Sequence, residues 1–410
     1  MSIPRIFPVA LLFTALAVPA GAQQRKLDPT TFVVIGEGLA AGMADFSLKD
    51  VYQERSFPAQ MAQQMDVAMP QPVFEGSGVG NVPGFPPLPV RYPGPGQGSV
   101  RKDFPPQLFI FNLSVPGFRL SDSFAQRPSA PLIQAQDMQK TLTNLTLGFP
   151  ALILPNKPLW NQLEYAQSMN PTLVMVAMGY FDVLDAAANN DLTRLTDPAV
   201  FRTNYASLLT NLRKNGSEVV AATVPNPLDT GFFTTVQGAA RLVPADVATI
   251  TRRYSLQAGD LITIPALQAM ANQVRWNEPP QLPPNSIMSA ATQAAITANV
   301  TALNAGITAS AQAAGALVYD LNALFRRVRT SGLLAGKYAL TADYLGGFYS
   351  LDGYYPAWTG NAAIANDVLS FLNQTYGQTF PLISLAAISP NDPAVRHSLN
   401  FARIVPPVEP

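Results

Sequence analysis

The stretch FVVIGEGL, residues 32–39, decides the fold of this chain. Four apolar residues, three of them β-branched, lead into a turn in which two glycines flank one glutamate. Because the run is apolar at every position rather than at alternate positions, it predicts a strand covered on both faces, as in a parallel sheet. Similar runs at 108–111, 173–178, 218–224 and 316–320 predict four more strands.

Helical patterns separate these runs. Asp197 followed by Pro198 is a helix start, because aspartate is a good N-cap and proline suits the first helical position. Apolar residues recur at helical spacing in this and two later segments: Phe201, Tyr205, Leu208 and Leu212; Ile296, Val300, Leu303 and Ile307; Ile364, Val368, Phe371 and Leu372. The alternation predicts an α/β protein with three α/β/α layers around a central parallel five-stranded sheet.

Composition excludes several classes of protein. The 410 residues include 26 basic and 26 acidic residues and are 48% apolar, which argues against a polybasic nucleic-acid binder and against a disordered chain. Cysteine is absent, so disulfides and thiolate nucleophiles are excluded. Histidine occurs once, at His397, which excludes a histidine-rich zinc site. We therefore expect no metal and no cofactor.

The ends of the chain differ from its middle. Residues 1–22 combine Arg5, a short apolar run and the sequence Ala-Gly-Ala, which is typical of a cleaved signal peptide. We therefore expect export to a periplasm or to the outside of the cell, and no later segment predicts a transmembrane span. The remainder divides into a domain at 23–376, with a Pro/Gly-rich insertion at 70–106, and a C-terminal tail at 377–410 that is expected to wrap the surface.

Four segments are expected at the carboxyl ends of the strands or just before the last helix, where open parallel sheets bind ligands. They are Gly-Glu-Gly-Leu at 36–39, Asn-Leu-Ser-Val-Pro-Gly at 112–117, Gly-Tyr-Phe-Asp at 179–182 and Asp-Gly-Tyr-Tyr-Pro at 352–356. In this order and placement they resemble the blocks of the SGNH/GDSL hydrolase family. The resemblance spans most of the chain and implies a flavodoxin-like sheet and an ester hydrolase ancestry.

The departures from the family pattern bear on activity. Gly38 stands where the family has its serine nucleophile, Tyr355 where it has its histidine base, and Phe181 where it has the asparagine that helps to hold the oxyanion. Gly117 and Asp352 match the family. The resemblance therefore implies a noncatalytic protein that binds an acyl ester, a lipid or an acetylated glycan, with an active ester hydrolase of rearranged catalytic set as the alternative.

Other residues of these segments are candidates for ligand binding: Glu37, Tyr180, Asp182 and Tyr354. A purely structural interpretation is that Glu37 and Asp182 cap helices while the aromatic rings fill space. A glycosidase-like acid/base pair or a Ca²⁺ or Mg²⁺ site would need carboxylates that converge. The glycines at 36, 38 and 42 fit a dinucleotide motif poorly, and Ser114 and Ser121 do not lie on a nucleophile elbow. The sequence leaves the oligomeric state and the role of His397 open.

Overall fold

A computed structural model describes residues 26–76, 78–79, 109–134, 136–148, 151–152, 154 and 156–404, with side chains to residue 398. The predicted signal peptide and most of the predicted insertion lie outside these residues. The strands, in chain order, are β1 Phe32–Gly36, β2 Leu173–Ala177, β3 Glu218–Ala222, β4 Phe233–Thr234, β5 Leu261–Thr263, β6 Ile287–Met288, β7 Leu317–Tyr319, β8 Leu333–Ala335 and β9 Tyr338–Leu340.

Helices make up most of the rest of the described chain. They are α1 Gly38–Ala41, α2 Asp50–Gln53, α3 Phe57–Gln64, α4 Asp122–Ala125, α5 Met138–Leu147, α6 Gln162–Ser168, α7 Phe181–Asn189, α8 Pro198–Arg213, α9 Val236–Ala239, α10 Val247–Tyr254, α11 Ile264–Arg275, α12 Ala290–Ala314, α13 Leu321–Ser331, α14 Trp358–Tyr376, α15 Leu385–Ile388 and α16 Pro393–Ile404. Short 3₁₀ turns occur at Leu192–Arg194, Pro227–Asp229 and Ser389–Asn391. Within this part of the chain, no helix combines the length and apolar character needed to cross a bilayer.

The central sheet is parallel. Four strands of the described chain form it in the order β1-β2-β3-β7, with Phe32 opposite Leu173 and Leu173 opposite Glu218. Every residue of β1 and β2 is buried. Because side chains alternate between the two faces of a strand, both faces of the sheet are covered. The mixed α/β class, the parallel sheet and four of the predicted strands are confirmed.

The fifth predicted strand is different. Of residues 108–111, Leu108 lies outside the described part, and Phe109–Phe111 do not form a regular strand. The segment that lies beside β1 is instead 111–115, a few residues further along the chain. The Val34 N–H donates to Phe111 O (2.8 Å), and the N–H groups of Leu113 and Val115 donate to Val34 O and Gly36 O (2.9 and 3.2 Å). A single parallel bridge, between Val34 and Asn112, results. The strand predicted at 108–111 therefore lies a few residues before the segment that runs beside β1.

The three predicted helices are confirmed. The Asp197 carboxylate accepts hydrogen bonds from the N–H groups of Ala199 and Val200, which begins α8 as the Asp-Pro pair predicts. The second stripe lies on α12, which packs along α8, and the third lies on α14, which packs against α3 and α13. The helices thus bury the apolar stripes that the sequence contains.

A second, smaller unit lies between β3 and α12. Its strands β4, β5 and β6 form an antiparallel sheet, and α9, α10 and α11 pack around a separate apolar cluster that includes Ile250, Ile262 and Met270. Farther along, β8 and β9 form a hairpin with a two-residue turn at Gly336 and Lys337. The sequence did not predict these short strands.

The segment at 377–410 is more than a surface tail as far as it is described. Its Val395 side chain is fully buried in the main core. The buried Asp392 carboxylate accepts hydrogen bonds from the Thr359 N–H in α14 (2.7 Å) and from the Ala394 N–H in α16 (2.9 Å). A cap and an apolar anchor within 389–395 therefore tie this segment to the rest of the protein.

Candidate functional site

The first and last of the four predicted segments meet at the carboxyl edge of the sheet. Strand β1 ends at Gly36 and leads into α1, while β2 leads through Gly179 into α7. The loop before α14 carries residues 352–356 back to the same edge. Tyr355 there approaches Glu37, 318 residues away in the sequence, with a phenol-to-carboxylate distance of 3.5 Å. The structure thus brings the first and last predicted blocks into contact.

Gly38 and Tyr355 occupy a single small volume. A Cβ atom built on Gly38 would lie 2.6 Å from the Tyr355 hydroxyl oxygen and 2.7 Å from Cζ, well inside van der Waals contact. The Tyr355 side chain is only 1% exposed, and its ring packs edge-on against Tyr180 with centroids 6.1 Å apart. Because the ring is buried, a side chain at position 38 would force it or its neighbours to shift, at a cost in packing.

Glu37 is a helix cap with an uncharged carboxyl group. It is fully buried and its Oε1 accepts a hydrogen bond from the Leu39 N–H (3.0 Å), which caps α1 as the structural interpretation predicted. Its other oxygen accepts from the Tyr355 hydroxyl. Burial raises the pKa of Glu37 from 4.5 to about 8, against the opposing effect of these hydrogen bonds. At neutral pH the folded protein therefore holds the carboxyl group protonated.

Asp352 organises the loop in which it lies. Its Oδ1 accepts hydrogen bonds from the N–H groups of Tyr354 and Tyr355 (2.8 and 2.9 Å), and its Oδ2 faces the Phe46 N–H at 3.5 Å. Burial raises the pKa of Asp352 to about 7, although the two backbone donors lower it. The resemblance implies that this residue would orient a histidine. Here its carboxyl oxygens face backbone N–H groups instead.

The candidate binding residues Tyr180 and Tyr354 are core residues. The Tyr180 hydroxyl donates to the Tyr354 backbone oxygen (3.2 Å), and the Tyr354 ring stacks on Phe232 with centroids 4.1 Å apart. Both side chains are 2% exposed or less. The aromatic rings fill space at the sheet edge, as the structural interpretation predicted. A ligand would reach them only after this packing opened, so their role in binding remains a prediction.

The other candidate positions, Gly117, Phe181 and Asp182, lie in the second and third predicted segments. Gly117 has φ +82°, a backbone conformation that favours glycine, and a Cβ there would collide with the Gln139 amide. Phe181 is the first residue of α7 and is half-buried against the core. Asp182, in the first turn of α7, is buried, but it does not cap that helix. Its carboxylate accepts from the Leu120 N–H (2.9 Å) and the Thr196 hydroxyl (2.8 Å), and burial raises its pKa to about 6.

His397 lies elsewhere. This exposed residue lines a small cavity of about 50 Å³ together with Asp45, Tyr52, Ser350 and Asp392. The Ser350 hydroxyl accepts a hydrogen bond from the Asp45 N–H (3.0 Å) and is also hydrogen-bonded to the Asp352 carboxylate. The Tyr52 hydroxyl donates to the Asp45 carboxylate. Among the described residues, no hydrogen bond or ion pair joins His397 to these neighbours.

Sequence reasoning missed an open groove of about 460 Å³. It lies between the small antiparallel unit and the β8–β9 hairpin, and Arg241, Lys337, Tyr338, Tyr344 and Leu345 are among its lining residues. Its two walls are about a hundred residues apart in the sequence and share no motif, so no local signal could have indicated it. None of the family-equivalent positions lines this groove or the cavity beside His397.

Within the described residues, no three histidine, aspartate or glutamate side chains converge to hold a metal ion. The carboxyl groups of Glu37, Asp182 and Asp352 each accept hydrogen bonds from backbone N–H or hydroxyl groups. Comparison of the chain with models of known protein families gave no match. Comparison with curated proteins gave no match either.

Proposed function

We propose that this protein is an exported, noncatalytic relative of the SGNH/GDSL hydrolases that binds an acyl-ester, lipid or acetylated-glycan ligand. The observation that carries the proposal is the contact between Gly38 and Tyr355. In the family pattern these positions hold the nucleophile and the base, and here one tyrosine fills the space of both. The export part of the proposal rests on the signal-like sequence at 1–22.

The architecture supports the family resemblance. The extended segment at 111–115 lies beside β1 on the side away from β2, so it supplies a fifth position at the edge of the sheet. With that segment included, the strand order is the one expected for a flavodoxin-like sheet, in which the second strand along the chain lies outside the first. Loops that follow these strands carry Gly38, Gly117 and Phe181 to one edge, as the family pattern requires.

The chemistry of the buried groups supports the absence of catalysis. Burial raises the pKa of the Tyr355 phenol well above its usual range, so the phenol stays protonated. Glu37 is protonated at neutral pH and cannot act as a base there. Position 38 has no side-chain nucleophile. A serine hydrolase that loses its nucleophile or its base loses most of its rate, so family-type turnover should be negligible.

An ester-hydrolysis assay tests the proposal. We expect purified protein to hydrolyse p-nitrophenyl butyrate no faster than buffer does. The variant with Gly38→Ser, Phe181→Asn and Tyr355→His restores the residue types of the family, and the variant with Phe181→Asn alone is its control. Turnover by the unmodified protein that disappears in Glu37→Gln or Asp352→Asn would overturn the proposal.

The alternative is an ester hydrolase with a rearranged catalytic set. It is favoured by one observation, the convergence of Ser350, His397 and Asp392 on a single cavity. The cavity of about 50 Å³ is far smaller than a typical substrate site, and the Ser350 hydroxyl is already hydrogen-bonded to the Asp352 carboxylate. Ser114, the other buried serine near the sheet edge, does not line this cavity. Ester turnover that is lost in both Ser350→Ala and His397→Ala would establish the alternative.

A further inference from the structure

The groove between the small antiparallel unit and the β8–β9 hairpin has the character of a ligand site. Its volume of about 460 Å³ lies in the range of small-molecule sites, which are mostly apolar with a few polar groups. Leu242, Tyr338, Ala339, Tyr344 and Leu345 supply an apolar lining. Arg241 and Lys337 supply positive charge at the same groove.

The charges in the groove are unequal. Asp343 is its acidic lining residue, and its carboxylate lies between two guanidinium groups, 3.5 Å from Arg241 and 3.9 Å from Arg329. Lys337 has no carboxylate within ion-pair distance among the described residues, and its Nζ lies 5.4 Å from the centre of the Tyr338 ring. The groove therefore has an excess of positive charge that no described residue neutralises.

The walls of the groove are preformed. Lys337 occupies the two-residue turn of the β8–β9 hairpin, where Gly336 has φ +64°, so the backbone beneath the ammonium group is fixed. The loop that follows the hairpin is closed by hydrogen bonds, because the Thr341 N–H donates to Gly346 O (2.9 Å) and the Gly346 N–H donates to Asp343 O (2.8 Å). A preformed site loses less entropy on binding than a flexible one does.

Leu345 is held in an unfavourable backbone conformation. Its φ of +61° lies in the left-handed region, which a leucine rarely adopts. Strained residues of this kind cluster at ligand sites, where the surrounding structure keeps a side chain in place. Leu345 is also one of the apolar residues that line the groove.

We propose that this groove binds a soluble monoanion with an apolar body, such as a medium-chain alkyl carboxylate. The carboxylate lies between Lys337 and Arg241, and the alkyl chain lies along Leu242, Tyr344 and Leu345. A charged head explains the unpaired ammonium group of Lys337 beside the Arg241–Asp343 pair, and an alkyl body explains the apolar lining better than an inorganic anion does. The groove supplies the noncatalytic protein with a ligand site away from the closed sheet edge.

Calorimetric titration with octanoate at low salt tests this proposal, with octylammonium and acetate as probes that lack the negative head or the chain. We expect saturable binding of octanoate, no binding of octylammonium and at least about tenfold weaker binding of acetate. Lys337→Gln should weaken octanoate binding about fivefold. Leu345→Gly, whose backbone suits this φ, should also weaken it. Lys214→Gln, on the exposed end of α8, is the matched control and should bind as the unmodified protein does.

Equal octanoate affinity in Lys337→Gln and the unmodified protein would overturn the proposal, as would binding of octylammonium as tight as that of octanoate. Sedimentation with phosphatidylglycerol vesicles, without binding of free octanoate, would also overturn it and would assign the cations to a membrane surface. The groove and the closed sheet edge share no family-equivalent residue. A failure of octanoate binding would therefore leave the proposed absence of ester hydrolysis untouched.

Discussion

Replacing Glu37 with glutamine should change how the stability of this protein depends on pH. The folded chain keeps the Glu37 proton up to a pKa of about 8, whereas the unfolded chain releases it near 4.5. Folding therefore takes up a proton in this interval, and the contribution of Glu37 to stability falls as the pH rises. Between pH 5 and pH 7 the loss is about 2–3 kcal/mol. Glutamine is neutral throughout, so the variant escapes this loss.

The substitution suits the site. The glutamine oxygen can accept the Leu39 N–H as Oε1 does now, and the amide nitrogen takes the place of the oxygen that faces the Tyr355 hydroxyl. We therefore expect Glu37→Gln and the unmodified protein to differ by less than about 1 kcal/mol at pH 5. At pH 7 the variant should have gained about 2–3 kcal/mol relative to the unmodified protein.

Urea denaturation at constant ionic strength, from pH 5 to pH 8, measures this difference. The raised pKa values of Asp352 and Asp182 act in both proteins and cancel in the comparison. Glu278→Gln, which changes an exposed glutamate, should follow the unmodified protein at every pH. If the free energies of unfolding of Glu37→Gln and the unmodified protein run parallel from pH 5 to pH 8, a buried, protonated Glu37 is refuted.

Three further predictions concern packing, caps and hydroxyl groups. Gly38→Ser should destabilise the fold by about 1–3 kcal/mol through overpacking, and adding Tyr355→His should recover part of that loss in a double-mutant cycle; additive effects would contradict the contact. Asp197→Ala should cost about 1 kcal/mol in chemical denaturation because α8 loses its cap, and an unchanged midpoint would contradict that role. Tyr180→Phe should lower the free energy of unfolding by about 1 kcal/mol because its hydrogen bond is lost. Tyr354→Phe should leave the free energy of unfolding unchanged because its buried hydroxyl has no partner among the described residues. Equal losses of stability in the two variants would refute this distinction.

Local signals made much of the fold predictable. The start of α8 follows from Asp197 and Pro198 alone, and the strands β1, β2 and β3 follow from apolar runs that need cover on both faces. The residues that run beside β1 were misplaced by a few positions, because the register of a strand is decided by its partner and not by its own sequence. The strands β4, β5 and β6 span two or three residues each, which is too short for any periodicity to appear.

The candidate site was predictable only in part. The resemblance identified positions 38 and 355, and the structure places them in contact. Whether they leave an opening depends on side-chain packing around Tyr355 and Tyr180, which no local pattern contains. Asp182 was expected to cap a helix, but its carboxylate accepts hydrogen bonds from the Leu120 N–H and the Thr196 hydroxyl, which lie in separate segments. Such long-range hydrogen bonds follow from the tertiary structure.

The filled space between Gly38 and Tyr355 also constrains evolution. A serine that arose at position 38 would meet the phenol, and a histidine that arose at position 355 would find nothing to activate. Neither change alone brings an advantage, and the first brings a folding defect. Under the proposed relationship to the SGNH/GDSL hydrolases, regaining the family's nucleophile and base would need both changes in one lineage before selection removed the first.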